Sequence, residues 1–508
     1  MQLGKRILVL ALLTASLVNT HAFSLLGPPK PWQLAGFGGR PQGLGYSLQF
    51  DIGAPMTPLE GYRWNIPIIT YGFDATFVRY FGTNGVNAVE EAIKVLNDLP
   101  AASKMTESLT EFPTDTVAEN QTAGLLGLLD VKSAALAMLM EELGLAQAER
   151  YVWGLRDRKT PQGQTNYTVV NMNYDPVTLQ PSRYVNGVLY NYRIFDDLGP
   201  LGNEWASAVE WYQLDPLYRP HSSVAGGFNN ADAELGSSPD AFTFLGSGLA
   251  QGQFYRGLTR DDVGGLRYLL STNNLVTESL LLDVFPSAKF ATSVSPWSPY
   301  PIFGTNGVGT NTTGVTNGVG SLNLTNFVRV AVRPGRDKLS FKRVNYDSLL
   351  SSTFTPITNR FRDTYLDPKT GRLRSQQVER VIFQPDILFA MGDLGTEPIS
   401  GIPFLYDRTT TAGWSNNVAL NSPFAGNGLG GPGVITPGVQ IRFTDLVPYF
   451  LNDVPGDLEV DGVLGFVWGS FDGSTKLPIV YPSFPNDSSP QITLQYLQAI
   501  ALRRNTIN

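Results

Sequence analysis

A chain of 508 residues with no cysteine cannot build a disulfide, a thiol nucleophile, a lipidated N-terminal cysteine or any cysteine-based metal site. Its formal charge of −7, spread over a sequence that is only 16% charged, makes a poor nucleic-acid binder. The length exceeds one typical core, so two or more domains are expected.

Residues 1–22 read as a secretory signal. Lys5 and Arg6 precede an apolar run over 7–18, and Thr20-His21-Ala22 forms a small-residue cleavage site. That run is too short for a permanent membrane span, and no later segment is apolar enough to serve as a transmembrane anchor. Losing Lys5 and Arg6 takes the charge from −7 to −9 and leaves His221 as the single imidazole. Export without disulfides fits a bacterial envelope or secreted protein: periplasmic, outer-surface or extracellular.

Residues 23–62 open on a Pro- and Gly-rich stretch and read as an extended arm. The run RWNIPIITY over 63–71 predicts a strand with a tryptophan lead-in. An amphipathic helix is expected over 85–96, with Val86, Val89, Ile93 and Leu96 on one face. Residues 105–123 are polar and read as loop. The stretch 131–145, VKSAALAMLMEELGL, is so densely apolar that it predicts a helix buried on most of its circumference. Asp130 is its expected N-cap and Gly144 its left-handed stop.

Between 151 and 197 the pattern turns to β, with alternating runs over 166–174 and 188–195 around Asp175-Pro176 and Asn186-Gly187 turns; this reads as a hairpin insertion. The sequence LTRDDVGGLRYLL over 258–270 predicts a further helix. Thr259 and Asp262 have capping-box spacing there, and Val263, Leu266, Leu269 and Leu270 form a buried face.

Taken in order, the W-x-x-P-x-x-x-Y strand, the amphipathic helix, the apolar helix ending in L-G-L and the L-x-x-D-D-V-x-G-L helix resemble a metzincin domain of the matrixin-like branch. The resemblance covers about 63–270. It implies a zinc peptidase fold whose central helix carries H-E-x-x-H-x-x-G-x-x-H. Setting Gly144 on the motif's glycine puts Ala137 at the first histidine and Met138 at the catalytic glutamate. Glu141 then falls at the second histidine and Gln147 at the third. None supplies the required chemistry, since such a zinc needs imidazole donors one helical turn apart. No methionine occurs between Met172 and Met391, so the family's methionine turn has no counterpart. The resemblance therefore implies a degenerate, zinc-less relative.

Residues 304–321 repeat Thr-Asn-Gly-Val-Gly without a charged side chain and read as a linker. Beyond it, 327–332 and 338–344 suggest a hairpin about Arg333-Pro334-Gly335. Runs over 381–383 and 460–468 suggest further strands, and 491–503 a closing helix. The expected fold class is α+β: a metzincin-like domain over 63–303 and a mostly-β, sandwich-like domain over 322–508.

Other chemistry is thin. Gly428, Gly430 and Gly433 spell G-x-G-x-x-G, but Pro432 interrupts it and no phosphate-binding helix starts there. A Ser-His-Asp triad would have to use His221, and no G-x-S-x-G elbow exists. Asp457, Glu459 and Asp461 would share one face of a strand, which offers oxygen ligands for Ca²⁺; a charged edge strand protected against aggregation gives the same pattern.

The expected function is that of an exported, non-catalytic surface, matrix or binding protein, with no cofactor beyond that possible Ca²⁺ and with polysaccharide or another envelope protein as partner. The alternative is a secreted carboxylate-dependent hydrolase acting on polysaccharide, with 8 Trp, 21 Tyr and 28 Phe available to stack on sugars. A purely structural β-rich surface protein is the third reading.

Overall fold

A computed structural model describes residues 21–27, 54–58, 61–159, 166–198, 204–213, 223–225, 249–287, 327–392, 410–415, 434–444 and 467–481. The fold is mixed α and β. Among the described residues its α-helices are α1 (Ala75–Asp98), α2 (Gln121–Leu125), α3 (Val131–Glu142), α4 (Ala148–Tyr151) and α5 (Arg260–Leu270). Among the described residues, no helix is long and apolar enough to cross a membrane.

The largest sheet among the described residues has five strands, of which Ile68–Phe73 is the second. Ser340–Arg343 pairs with it in parallel on one side and Ile387–Gly392 in parallel on the other. Val434–Thr444 follows, also parallel, and Thr410–Ser415 closes the sheet antiparallel. A parallel strand covered on both faces selects a continuous apolar run, and at the centre of the sheet Ile387, Leu388, Phe389 and Ala390 are all buried, whereas Ser340–Arg343 keeps Lys342 and Arg343 exposed. Helix α1 packs against this sheet, with Phe77 and Phe81 each 5.4 Å from the Phe443 ring. Asp74 caps α1 by accepting from the Thr76 N–H, and the expected face of Val86, Val89, Ile93 and Leu96 is buried. The range starts ten residues before the expected 85 because it joins two helical stretches across a kink at Gly82, whose φ of +60° and ψ of −158° are not helical; the expected face lies on the second stretch.

Helix α3 lies on α1 and touches the strands of the same sheet. All of its residues except Lys132 and Met138 are buried, as an apolar circumference requires. Asp130 caps it, accepting from the Ser133 N–H at 2.9 Å and its hydroxyl at 2.6 Å. At the other end Gly144 has φ +99°, and a Cβ there would stand 2.2 Å from the Tyr62 carbonyl oxygen. Close approach and left-handed backbone both demand glycine at this position. Trp64, fully buried, donates its indole N–H to the Glu142 carbonyl at 2.8 Å and so satisfies one carbonyl of the last turn.

Several expectations are corrected by the strand pairings. The start of the supposed arm, Phe23–Gly27, is a buried strand paired with Ala54–Met56, Leu145–Ala146 and Asn173–Tyr174. The loop expected over 105–123 contains the strand Val117–Glu119, paired with Gln253–Tyr255. No hairpin forms about Arg333. Val330–Arg333 pairs with Val276–Ser279, while Ser340–Arg343 joins the parallel sheet. The β region is more than one hairpin insertion: Gly154–Lys159 pairs with Asn166–Val170, Tyr184–Val185 pairs with Val188–Leu198 about the Asn186-Gly187 turn, and Val188–Leu198 pairs in turn with Glu204–Gln213.

The C-terminal strands that were expected to build a sandwich of their own instead flank Ile68–Phe73. Strands from both sides of 304–321 therefore share one sheet and one hydrophobic core. Buried ions join the same two parts. Arg63 pairs with Glu278 and donates to the Leu269, Asn274 and Arg333 carbonyls. Arg333 in turn makes a bidentate pair with Asp363 at 2.9 and 3.0 Å.

The linker over 304–321, the helix over 491–503, His221, the Gly428, Gly430, Gly433 set and the Asp457, Glu459, Asp461 trio lie outside the described residues.

Candidate functional site

Three places carry candidate chemistry: the α3 face where a zinc site would stand, a buried carboxylate cluster at the start of α5, and an open cleft.

On α3, Ala137 is 1% exposed and Glu141 4% exposed, so both sit inside the core. Met138 is half-buried and packs against that core. Gln147 is buried at the start of α4, one turn past the end of α3. The positions assigned by resemblance thus lie near one another but present no imidazole. Ala137 has no donor atom, and one carboxylate does not replace three neutral nitrogen ligands.

The second place was only half legible in the sequence. The Thr259–Asp262 capping box forms: Thr259 N–H donates to Asp262 at 3.0 Å, and the Thr259 side chain accepts from the Asp262 N–H. Asp262 then does more than cap. Its carboxylate also accepts from the Val224 and Ala225 N–H groups at 3.1 and 3.2 Å. Glu149 accepts from the Ser223 N–H at 2.7 Å. Two buried carboxylates therefore grip three successive main-chain donors of 223–225. Asp261 accepts from the Ala22 N–H at 2.9 Å and from the Asn186 N–H, and meets the His21 ring at 3.0 Å. Cleavage after Ala22, as the leader reading expects, would remove two of these partners, and Ala22 is fully buried here.

Burial drives the electrostatics of this cluster. Desolvation pushes the Glu149 carboxyl up to about 7, with the charges of Asp262 and Asp261 adding to it. It raises Asp261 and Asp262 as well, against the hydrogen bonds that favour their ionised forms. Asp130 at the α3 cap is pushed up to about 6 for the same reason. A raised carboxyl is a common mark of catalysis. All four carboxylates, however, accept from main-chain N–H groups inside the molecule: Glu149 from Ser223, Asp262 from Val224 and Ala225, Asp261 from Ala22 and Asp130 from Ser133. An Asp-Asp pair opening a helix was the one sequence signal for Asp261 and Asp262; nothing local announced Glu149.

The third place was not foreseen. A cleft of about 570 Å³ opens between the end of α1 (Val95, Asp98, Leu99, Pro100), the segment 112–116 and the segment 256–258. Its walls are mostly apolar side chains, with Phe112 as the single aromatic ring. The 112–116 wall is pinned from behind: Arg260 donates to the Phe112 carbonyl through Nε and Nη2, both at 3.2 Å. The Arg260 N–H reaches the Pro113 carbonyl at 2.7 Å, and the Arg256 N–H reaches Thr116 at 3.0 Å.

No family model, curated protein or solved structure matches the chain.

Proposed function

We propose that this is an exported, non-catalytic binding protein of the cell exterior, built on a metzincin-like frame whose zinc site has been lost. The observation that carries the reading is the burial of Ala137 and Glu141 on α3, at the places where two ligands and their cleft would stand. Supporting it are the chain order strand, α1, α3, α5 and the capping box that opens α5. The leader-like residues 1–22 and the lack of cysteine support export. Polysaccharide or another envelope protein is the partner class that fits such a location.

The hydrolase reading has one observation in its favour, that Asp98 and Asp115 line the same cleft. Both are solvent-exposed, though, and glycoside hydrolysis needs one carboxyl kept protonated by its surroundings. A single ring also gives a sugar little to stack on.

The test is metal analysis of tag-free protein alongside thermal unfolding. The expected result is far less than one zinc per chain, a melting temperature unmoved by strong chelators or added zinc, and no peptidase activity that chelators abolish. Stoichiometric zinc, with a melting temperature that falls on chelation, would overturn the reading.

A further inference from the structure

We propose that the cleft between the end of α1 and the segments 112–116 and 256–258 binds a small organic acid: an apolar body with one carboxylate, seated on Arg256. This inference does not rest on the metzincin-like frame, and it can fail without that frame failing.

Size and pre-formation come first. A volume of about 570 Å³ falls within the range of small-molecule sites, and the pinned 112–116 wall removes the need to order a loop on binding. Shape points the same way. Gly257 lines the cleft at ordinary φ, and a Cβ built there meets nothing within 4 Å. Neither backbone geometry nor packing asks for glycine at that position. Its effect is to leave the space open.

Charge then selects the ligand. Three ionic side chains line the cleft. Asp98 is paired with Lys94, one turn earlier on α1. Asp115 accepts from the Val117 N–H at 2.8 Å. The Arg256 guanidinium makes no hydrogen bond or ion pair among the described residues, although its main chain is held in place. A fixed backbone carrying an unpaired guanidinium beside apolar surface suits a carboxylate, which it meets with two parallel N–H donors. Leu99, Phe112 and Leu258 supply the surface for an aryl or branched aliphatic body.

The experiment titrates the full chain with 3-phenylpropionate, 3-phenylpropan-1-ol and 3-phenylpropylamine, three probes that differ in charge at one end. Calorimetry or ligand-observed NMR should give a Kd below about 1 mM for the acid, with the alcohol at least about tenfold weaker and the amine weaker still. Arg256→Gln should bring the acid down to the level of the alcohol. Gly257→Phe should abolish binding of all three while leaving the melting temperature near that of the native chain. Equal binding of acid and alcohol, a preference for the amine, or no binding of the acid at millimolar concentration would each overturn the proposal. So would unchanged binding in Gly257→Phe, which would place the acid elsewhere.

Discussion

Replacing Arg333 by alanine is expected to cost about 3–5 kcal/mol, or to prevent isolation of folded protein. Arg333 is 1% exposed and Asp363 fully buried. The guanidinium also donates to the Glu278 carbonyl at 2.7 Å and to the Val328 carbonyl at 2.9 Å. Removing it strands a carboxylate in the interior with Gln376 at 2.9 Å as its remaining close partner and Arg336 only at 3.5 Å. Those two cannot replace a bidentate pair, and the two freed carbonyls lose donors as well. Denaturant titration measures the loss. The double variant Arg333→Met, Asp363→Leu should recover only part of it: the bidentate pair leaves together, but Arg336 loses its ion pair to Asp363. A loss below about 1 kcal/mol for Arg333→Ala would mean that water reaches this pair.

Replacing Glu149 by glutamine should make the protein more stable near pH 8 and flatten its pH dependence. Glu149 has a folded-state value of about 7 against an ordinary 4.5. A carboxyl raised by folding stabilises fully below the ordinary value, where both states hold the proton. That contribution is lost as pH rises through about 7, because the unfolded chain ionises first. The interval corresponds to roughly 3 kcal/mol. Asp130, raised to about 6, acts in the same direction over a narrower window, and raised Asp261 and Asp262 reinforce it. Native protein should therefore lose stability steadily between pH 4.5 and 7. Glutamine keeps an acceptor for the Ser223 N–H and carries no charge to desolvate, so Glu149→Gln should lose less over the same range. Parallel curves for the two proteins would place Glu149 in a solvated setting.

The parts of the fold visible in the sequence are those decided by residues close together in the chain. The apolar circumference of α3, the Asp130 cap and the Gly144 stop were legible because propensity, spacing and a left-handed requirement all lie within fifteen residues. The Thr259–Asp262 box and the Asn186-Gly187 turn, with φ +46° and +89°, were legible for the same reason. Pairing was not. Ile68–Phe73 has neighbours that begin at Ser340 and Ile387, and an alternating run gives no hint of which strand it will meet. The hairpin expected about Arg333 failed because a buried arginine takes the chain inward to Asp363 and Glu278, which local turn residues do not reveal. Buried charge misleads in general: Glu149 reads as an ordinary surface residue until three distant segments close over it. The cleft is assembled from three such segments, and nothing local in the sequence marked it.

The stability of Ala137→Phe shows whether the α3 face carrying Ala137 belongs to the core or to a working cleft. A side chain placed at a position 1% exposed must displace its neighbours, and overpacking of this kind costs about 1–3 kcal/mol or more. Denaturant unfolding should show that loss, together with a lowered melting temperature. An open cleft would accommodate the ring, and a variant as stable as the native chain would rule out a core position for Ala137.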